Sequence, residues 1–265
     1  MSENLAFIGA GNMGGAIAEA VCRGIAPERV AVYNPTAAKS QALSARCGCI
    51  AVQSAEEAVR ASKYVILGVK PQVFDGVLRG LIPCLTAGHV VVSIAAGVPL
   101  SRIEGILAEG GLDLPVVRAM PNTPVAVGQG LVLLCPNEKA EPFMDELTQL
   151  LAPCGLVERA SEREIDLGMA VFSCSPAFVY QFIEAMADGG VQLGLPRDKS
   201  QRYAAQAVLG SAAMVLGTGK HPGQLKDEVC SPGGYTIRGV HALEKAGFRA
   251  AAAEAVVIAG GADIR

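Results

Sequence analysis

An α/β fold, a doubly wound sheet followed by an all-helical domain, is what this 265-residue sequence predicts. Three observations lead there. A strand-like run at 5–8 passes directly into Gly9-Ala10-Gly11-Asn12-Met13-Gly14 and then into a helix-like run at 13–23. Short β-rich runs at 30–33, 49–52, 64–69, 89–94, 116–120, 131–134 and 156–158 alternate with helical stretches, the grammar of a mainly parallel sheet. After Ser161 the strand signal stops, and long Ala/Leu/Val/Gly-rich segments run over 162–193, 196–216, 225–229, 235–245 and 248–258. The expected domains are therefore 1–160 and 161–265.

The first strand and its glycines mark a Rossmann-type dinucleotide site. Gly9 permits the tight turn out of the strand, Gly11 lets the backbone approach a pyrophosphate, and Gly14 lets the following helix pack closely on the sheet. The helix N-terminus then faces the phosphate charge. The second strand ends Tyr33-Asn34-Pro35-Thr36, where a domain selective for NAD usually carries an acid for the ribose hydroxyls. No acid is present. A 2′-phosphate meets no repulsion there, and Asn34, Thr36 and Lys39 are candidate donors, so NADP(H) is expected, with NAD(H) as the second candidate. An ordinary Asn-Pro turn is the structural alternative.

Three helix starts carry the capping-box spacing: Ser54 with Glu57, Ser101 with Glu104, and Ser161 with Glu164. The fourth, fifth and sixth strands end in Gly68-Val69-Lys70-Pro71-Gln72, Ser93-Ile94-Ala95-Ala96-Gly97 and Arg118-Ala119-Met120-Pro121-Asn122-Thr123-Pro124. These small, proline-fixed turns suit a close wall for a flat nicotinamide. In the helical half, a tail such as 250–259 is too apolar for an isolated bundle, which points to burial against another subunit.

Composition excludes several classes. With a net charge of -3 and no basic run, the chain has no source of attraction to a nucleic-acid backbone. No apolar run reaches the roughly 18 to 20 residues of a membrane helix, and a cofactor strand begins within the first residues, so a cytoplasmic, non-membrane protein is expected. Eight scattered cysteines without Cys-x-x-Cys read as reduced thiols, and no metal site is expected.

The sequence resembles the pyrroline-5-carboxylate reductases over essentially its whole length. The resemblance is carried by Phe7-Ile8-Gly9-Ala10-Gly11-Asn12-Met13, Val69-Lys70-Pro71-Gln72, Ala95-Ala96-Gly97-Val98, the 118–124 run, His221-Pro222-Gly223-Gln224-Leu225-Lys226-Asp227-Glu228-Val229, and Ser231-Pro232-Gly233-Gly234-Tyr235-Thr236-Ile237. It implies reduction of 1-pyrroline-5-carboxylate to L-proline. It also implies cofactor contacts at Gly9, Ala10, Gly11, Asn12, Met13, Asn34, Thr36, Val69, Lys70, Pro71, Ala95 and Ala96. Glu162, Ser231, Gly234, Tyr235 and Thr236 are implied around the substrate, and the assembly implied is a homodimer or a decamer built of dimers. Three stretches depart from the family pattern. Phe172-Ser173-Cys174-Ser175-Pro176-Ala177-Phe178 replaces a Ser-Gly-Ser-Gly-Pro-Ala-Tyr run, Gln53-Ser54-Ala55 stands where a cofactor-contacting asparagine is common, and Tyr235 occupies the place of a small residue or threonine.

The chemistry follows from the residues themselves. Ser231-Pro232-Gly233-Gly234 is a turn opening a helix, where converging backbone N–H groups suit a carboxylate. With the acid so held, the nitrogen of a cyclic imine lies near the Thr236 hydroxyl, the candidate catalytic group, and its electrophilic carbon faces the nicotinamide. A protonated imine already carries the charge that a ketone would need a Lys or His to supply, and 162–193 contains neither. The same-fold alternative is a reductase of another small imine or ketoacid; the alternative from another class is a non-catalytic nucleotide sensor. His221 and His241 read as surface or capping histidines, Cys174 and Cys230 as packing thiols, Lys70 as a neutraliser of phosphate, and Glu162 equally as a solvated first-turn residue.

Overall fold

The computed structural model describes residues 4–261 and divides into two compact units, 1–173 and 174–265. In the first unit eight strands form one sheet in the order β3-β2-β1-β4-β5-β6-β7-β8. They are β1 Leu5–Ile8, β2 Val30–Tyr33, β3 Ile50–Ala51, β4 Tyr64–Leu67, β5 Val90–Ser93, β6 Val116–Pro121, β7 Gly130–Pro136 and β8 Gly155–Arg159. The first six are parallel; β7 runs antiparallel to β6, and β8 parallel to β7.

Both faces of this sheet are covered, which is why its strands read as continuous apolar runs rather than alternating ones. Leu5 and Phe7 enter one core with Ile17, Leu43 and Leu147, from helices α1 Asn12–Cys22, α2 Ala37–Cys47 and, further along the chain, Met144–Leu151. Ala6 and Ile8 enter the other with Val59, Phe74 and Ile103, from α3 Ala55–Arg60, α4 Pro71–Leu81 and α5 Leu100–Glu109. The helix Met144–Leu151 is α6. A third, smaller core of Met120, Leu133 and Cys135 receives Ile165 from α7 Glu162–Met169. That packing keeps α7 with the sheet, so the compact units divide after Ser173.

Local capping follows the sequence at two of three places. Ser161 and Glu164 form the complete reciprocal box. The Ser54 hydroxyl accepts from the Glu57 N–H at 3.1 Å, while the Glu57 carboxylate takes the Gln53 N–H instead of its partner's. The Ser101 box does not form. Pro99 is the N-cap of α5, which leaves Ser101 inside the helix, and Glu104 accepts from the Asn137 side chain. The cysteines are less scattered than expected. Cys22, Cys47 and Cys49 meet where α1 and α2 end, and hydrogen bonding from Cys22 lowers the Cys49 thiol to about 7, whereas the same contact with burial pushes Cys22 up.

The helical run expected over 162–193 is continuous but changes its winding partway. Between α7 and α8 Ser175–Gln192, residues Ala170–Cys174 form a π-helical segment. Pro176, in the first turn of α8, is the physical reason: it has no N–H to donate and its ring crowds the preceding turn.

The second unit holds α8, α9 Arg197–Thr218, α10 Pro222–Glu228, α11 Tyr235–Lys245 and α12 Phe248–Ala259. The Ser200 hydroxyl of α9 donates to the Ala187 carbonyl of α8 at 2.7 Å, and a Cβ on Gly190 would collide with that hydroxyl, so these helices lie close together. Among the described residues of this unit only Ala187, Ser200 and Ala204 are buried. An apolar cleft of about 740 Å³ opens along α8 and α12, walled by Phe178, Phe182, Met186, Phe248 and Val256. Among the described residues no helix is long and apolar enough to cross a membrane.

Candidate active site

Parallel pairing in register lines up the strand ends. Ile8 stands beside Tyr33 and Leu67, Leu67 beside Ser93, and Ser93 beside Arg118. The strand order reverses between β1 and β4, where an open α/β sheet leaves a crevice at its carboxyl edge. Gly9 to Met13, Asn34, Thr36, Val69, Lys70, Pro71, Ala95 and Ala96 all follow these strand ends, so the structure brings the expected cofactor residues to one edge.

The glycine turn is built by close backbone packing. Gly9 has φ 109°, its N–H donates to the Tyr33 carbonyl at 2.8 Å, and a Cβ on it would lie 2.6 Å from the Gly68 carbonyl oxygen. A Cβ on Gly14 would lie 2.4 Å from the Gly9 carbonyl oxygen, so α1 sits directly on the turn. Gly11 differs. It is the exposed N-cap of α1, has no side-chain cap, and a methyl group there would meet nothing within 4 Å. Open space in front of unsatisfied helix N–H groups is what a pyrophosphate requires, so the residues present fit a dinucleotide.

Asn34 has a role the sequence did not disclose. Its Oδ1 accepts from the Ala10 N–H at 3.0 Å and its Nδ2 donates to the Thr36 carbonyl at 3.1 Å, making it a strut between the glycine turn and the β2 loop. One Nδ2 hydrogen remains for a ligand. Thr36 is the N-cap of α2, without a side-chain capping bond, and the loop carries no carboxylate. A cleft of about 480 Å³ beside the turn has Gly11, Asn12, Lys39 and Arg46 among its walls. Lys70, exposed, is the N-cap of α4 with Pro71 next, so a second bare helix start and a cation add positive potential at this edge. Ala95 is buried with its N–H held by the Ser93 hydroxyl, and Ala96 is exposed.

Glu162, expected around the substrate, is tied into the first unit. Its Oε1 accepts from Arg118 at 3.0 Å and from the Leu100 N–H at 2.9 Å, while Asp166 takes the other Arg118 nitrogen at 2.6 Å. Burial acts to lower the Arg118 pKa, but the hydrogen bonds to Asp166 and Glu162 outweigh it and leave it raised. This carboxylate thus joins β6, α5 and α7. The sequence signal was available: one arginine within the apolar run Val116-Val117-Arg118-Ala119-Met120 demands a buried partner.

In the second unit, the Gly234 N–H donates to the Ser231 carbonyl at 3.0 Å, with Pro232 second and Gly233 third at φ 69°. That is the arrangement of a type II turn. Gly234 is then the N-cap of α11, again without a side-chain cap, so the first N–H groups of this helix are left for a ligand. Thr236 is exposed, and among the described residues its hydroxyl has no hydrogen-bond partner. Tyr235 is 92% exposed, with the Arg238 guanidinium 5.9 Å from its ring centroid. His221 is a capping histidine: its Nδ1 accepts from the Gly223 N–H at 3.0 Å at the start of α10.

Known proteins resemble this chain in both halves. Residues 162–260 match the family model for pyrroline-5-carboxylate reductase dimerisation, and residues 4–97 match that for coenzyme F420-dependent NADP oxidoreductases. Pyrroline-5-carboxylate reductase of Escherichia coli is 42% identical over 97% of this chain and 95% of its own length. That of Pisum sativum is 41% identical, over 97% and 94%. Among solved structures, the Plasmodium falciparum enzyme with NADP bound superposes with a TM-score of 0.85 at 30% identity, covering 98% of this chain and 96% of that one. The Coxiella burnetii enzyme reaches 0.88 at 32% identity, covering 98% and 97%.

Proposed function

The chain belongs to the pyrroline-5-carboxylate reductase family, and on that premise we propose how its residues divide the work of the reaction. The activity is NAD(P)H-dependent reduction of 1-pyrroline-5-carboxylate to L-proline, the last step of proline biosynthesis. Bound NADPH supplies the hydride. Gly9, Ala10, Gly11, Asn12 and Met13 receive its pyrophosphate, Asn34 and Thr36 the 2′-phosphate end, and Val69, Lys70, Pro71, Ala95 and Ala96 the remainder.

The observation that carries the substrate half is the bare start of α11 behind the Ser231 turn. Ser231 and Tyr235 present N–H groups to the substrate carboxylate, Gly234 borders it with its own N–H committed to the turn, and the Thr236 hydroxyl accepts from the protonated ring nitrogen. Holding that proton keeps the C=N carbon electrophilic, and because no oxyanion develops, no side-chain acid is required. Glu162 borders the substrate through Oε2, the oxygen left unpaired among the described residues, while Oε1 fixes its position.

The chain is a homo-oligomer by its dimerisation domain. The proposed unit is a homodimer built on the scarcely buried helices α8, α9 and α12, with a decamer of such dimers as the larger assembly, in the cytoplasm. Purified protein should oxidise NADPH, followed by its absorbance, only when 1-pyrroline-5-carboxylate is added, with proline as the product. NADPH binding without imine-dependent turnover would replace this reading with a nucleotide sensor.

A further inference from the structure

We propose that Cys22 and Cys49 are a preformed disulfide-forming pair, a modification site for small hydroperoxides where α1 and α2 end. It is separate from the reduction assigned above. Cys22 is the last residue of α1 and Cys47 the last of α2. Gly48, the left-handed cap of α2 at φ 78°, turns the chain so that Cys49 follows at once on the way into β3. The two helix ends are tied beside the thiols, since Arg46 Nε donates to Glu19 Oε2 at 3.2 Å. Cys49 belongs to the core that α1 and α2 cover, and Cys22 and Cys47 pack against it half-buried. The three sulfurs hydrogen-bond to one another.

The cluster is not symmetric, and its asymmetry selects the pair. Cys47 Sγ donates to the Leu43 carbonyl at 3.2 Å, a bond back into its own helix. The contact between Cys22 and Cys49 is the strongest influence on each of those two thiols. It raises Cys22 and lowers Cys49, so Cys22 donates and Cys49 is the sulfur that carries the charge. Contact with Cys47 and the charge of Arg46 add to the lowering, against burial. A thiolate beside a cation is the reactive form of cysteine. Cys49 is only 2% exposed, so an oxidant meets Cys22 first. The proton of the shared hydrogen bond passes to Cys49, and Cys22 Sγ attacks the O–O bond of the hydroperoxide. That bond breaks, a sulfenic acid forms on Cys22, and the departing hydroxide or alkoxide takes a proton from water. Cys49 Sγ, already in contact, then attacks the Cys22 sulfur: the S–S bond forms, the S–O bond breaks, and the hydroxyl leaves as water with the Cys49 proton. The sulfur pair loses two electrons and the peroxide gains them. Cys84, Cys135 and Cys154 are buried, and burial pushes their thiols up, so they should stay reduced.

The test uses the purified, fully reduced protein and hydrogen peroxide at a few-fold excess. Two of the eight thiols should be lost first, and a peptide map should join Cys22 to Cys49, with dithiothreitol restoring both. Because the sulfurs already touch, the bond should close without distortion and raise Tm by roughly 4–16 °C at constant protein concentration. In Cys49→Ala the sulfenic acid should persist on Cys22 and be trapped by dimedone. In Cys22→Ala neither product should form, whereas Cys47→Ala should link as the wild type does. Eight titratable thiols after peroxide, a link made through Cys47, or an oxidised chain that melts earlier than the reduced one would each overturn the proposal. Should an alanine variant fail to fold, the peptide map of the wild-type chain decides alone.

Discussion

Replacing Gly14 with alanine puts a methyl group 2.4 Å from the Gly9 carbonyl oxygen and 3.6 Å from the Gly68 Cα. A comfortable carbon to carbonyl-oxygen contact is about 3.3–3.6 Å, so α1 must retreat by about 1 Å. The turn will not yield in its place, because Gly9 is held by its N–H bond to Tyr33 and backed by the Gly68 backbone. Overpacking of this kind costs about 1–3 kcal/mol, which for a chain of this length lowers Tm by roughly 2–12 °C. The retreat also draws the helix N–H groups away from the pyrophosphate. Losing one hydrogen bond to a charged group, about 1.5–3 kcal/mol, raises the Kd for NADPH roughly 10- to 150-fold. Gly11→Ala is the matched control: its methyl meets nothing within 4 Å among the described residues, so stability should stay within about 1 kcal/mol of wild type, a Tm change of no more than roughly 2–4 °C, while the pyrophosphate space is filled and binding is lost. NADPH fluorescence titration and thermal melting of both variants check the pair. A Gly14→Ala protein with wild-type Kd and Tm, or a Gly11→Ala protein that melts early yet binds normally, would refute the reasoning.

Thr236→Ala should leave Tm and NADPH binding unchanged, because the exposed hydroxyl has no partner among the described residues, and lower kcat/KM by roughly 10- to 150-fold; Thr236→Ser should retain most activity. A Tm loss without a kinetic loss would return this residue to a structural role. Asn34→Asp keeps an acceptor for the Ala10 N–H but adds charge where a 2′-phosphate is expected, so NADPH binding should weaken by about 1–3 kcal/mol and the kcat/KM ratio shift toward NADH. An unchanged ratio removes Asn34 from cofactor choice. Burial works to raise the Glu146 pKa, but bonds from Lys63 and Tyr64 overcome it and hold the carboxyl below its ordinary 4.5. Its stabilisation is therefore present above that value and lost as pH falls through the lower folded one, so the Tm gap between wild type and Glu146→Gln should be widest near neutrality and close in acid. A gap that stays constant with pH would mean the carboxylate's charge contributes nothing.

The nucleotide-binding half was legible because its physics is local. The run from Leu5 to Gly14 carries strand, turn and helix start in ten consecutive residues, and the loops after β4 and β5 announce themselves by Lys70-Pro71 and Ala96-Gly97. What the sequence concealed were contacts between residues far apart in it. Nothing near Asn34 states that its amide will brace Ala10, and Ser101 has the spacing of a cap but loses that place to Pro99, two residues earlier. The π-helical turn at 170–174 is different, since Pro176 was in plain view within a run read as one helix. The apolar periodicity on either side outweighed it, although a proline inside a helical pattern marks the turn before it as irregular. On the substrate side, Ser231 to Thr236 was readable as a turn and helix start from Pro232, Gly233 and Gly234 alone, whereas the commitment of Glu162 to Arg118 needed the fold.

With only Ala187, Ser200 and Ala204 buried among the described residues of its helical unit, a solitary chain has almost nothing to hold its second half together. Maturation is then a two-body event. The sheet-forming half can condense during synthesis, but the helices wait for a companion, and until one arrives they expose the surfaces most prone to sticking to strangers. Thermal midpoints should climb with protein concentration, because unfolding and separation are one process. Subunits in finished assemblies should also trade places slowly, since leaving means unravelling. Two tagged populations mixed after purification ought to remain distinct, while the same two chains made together in one cell combine freely.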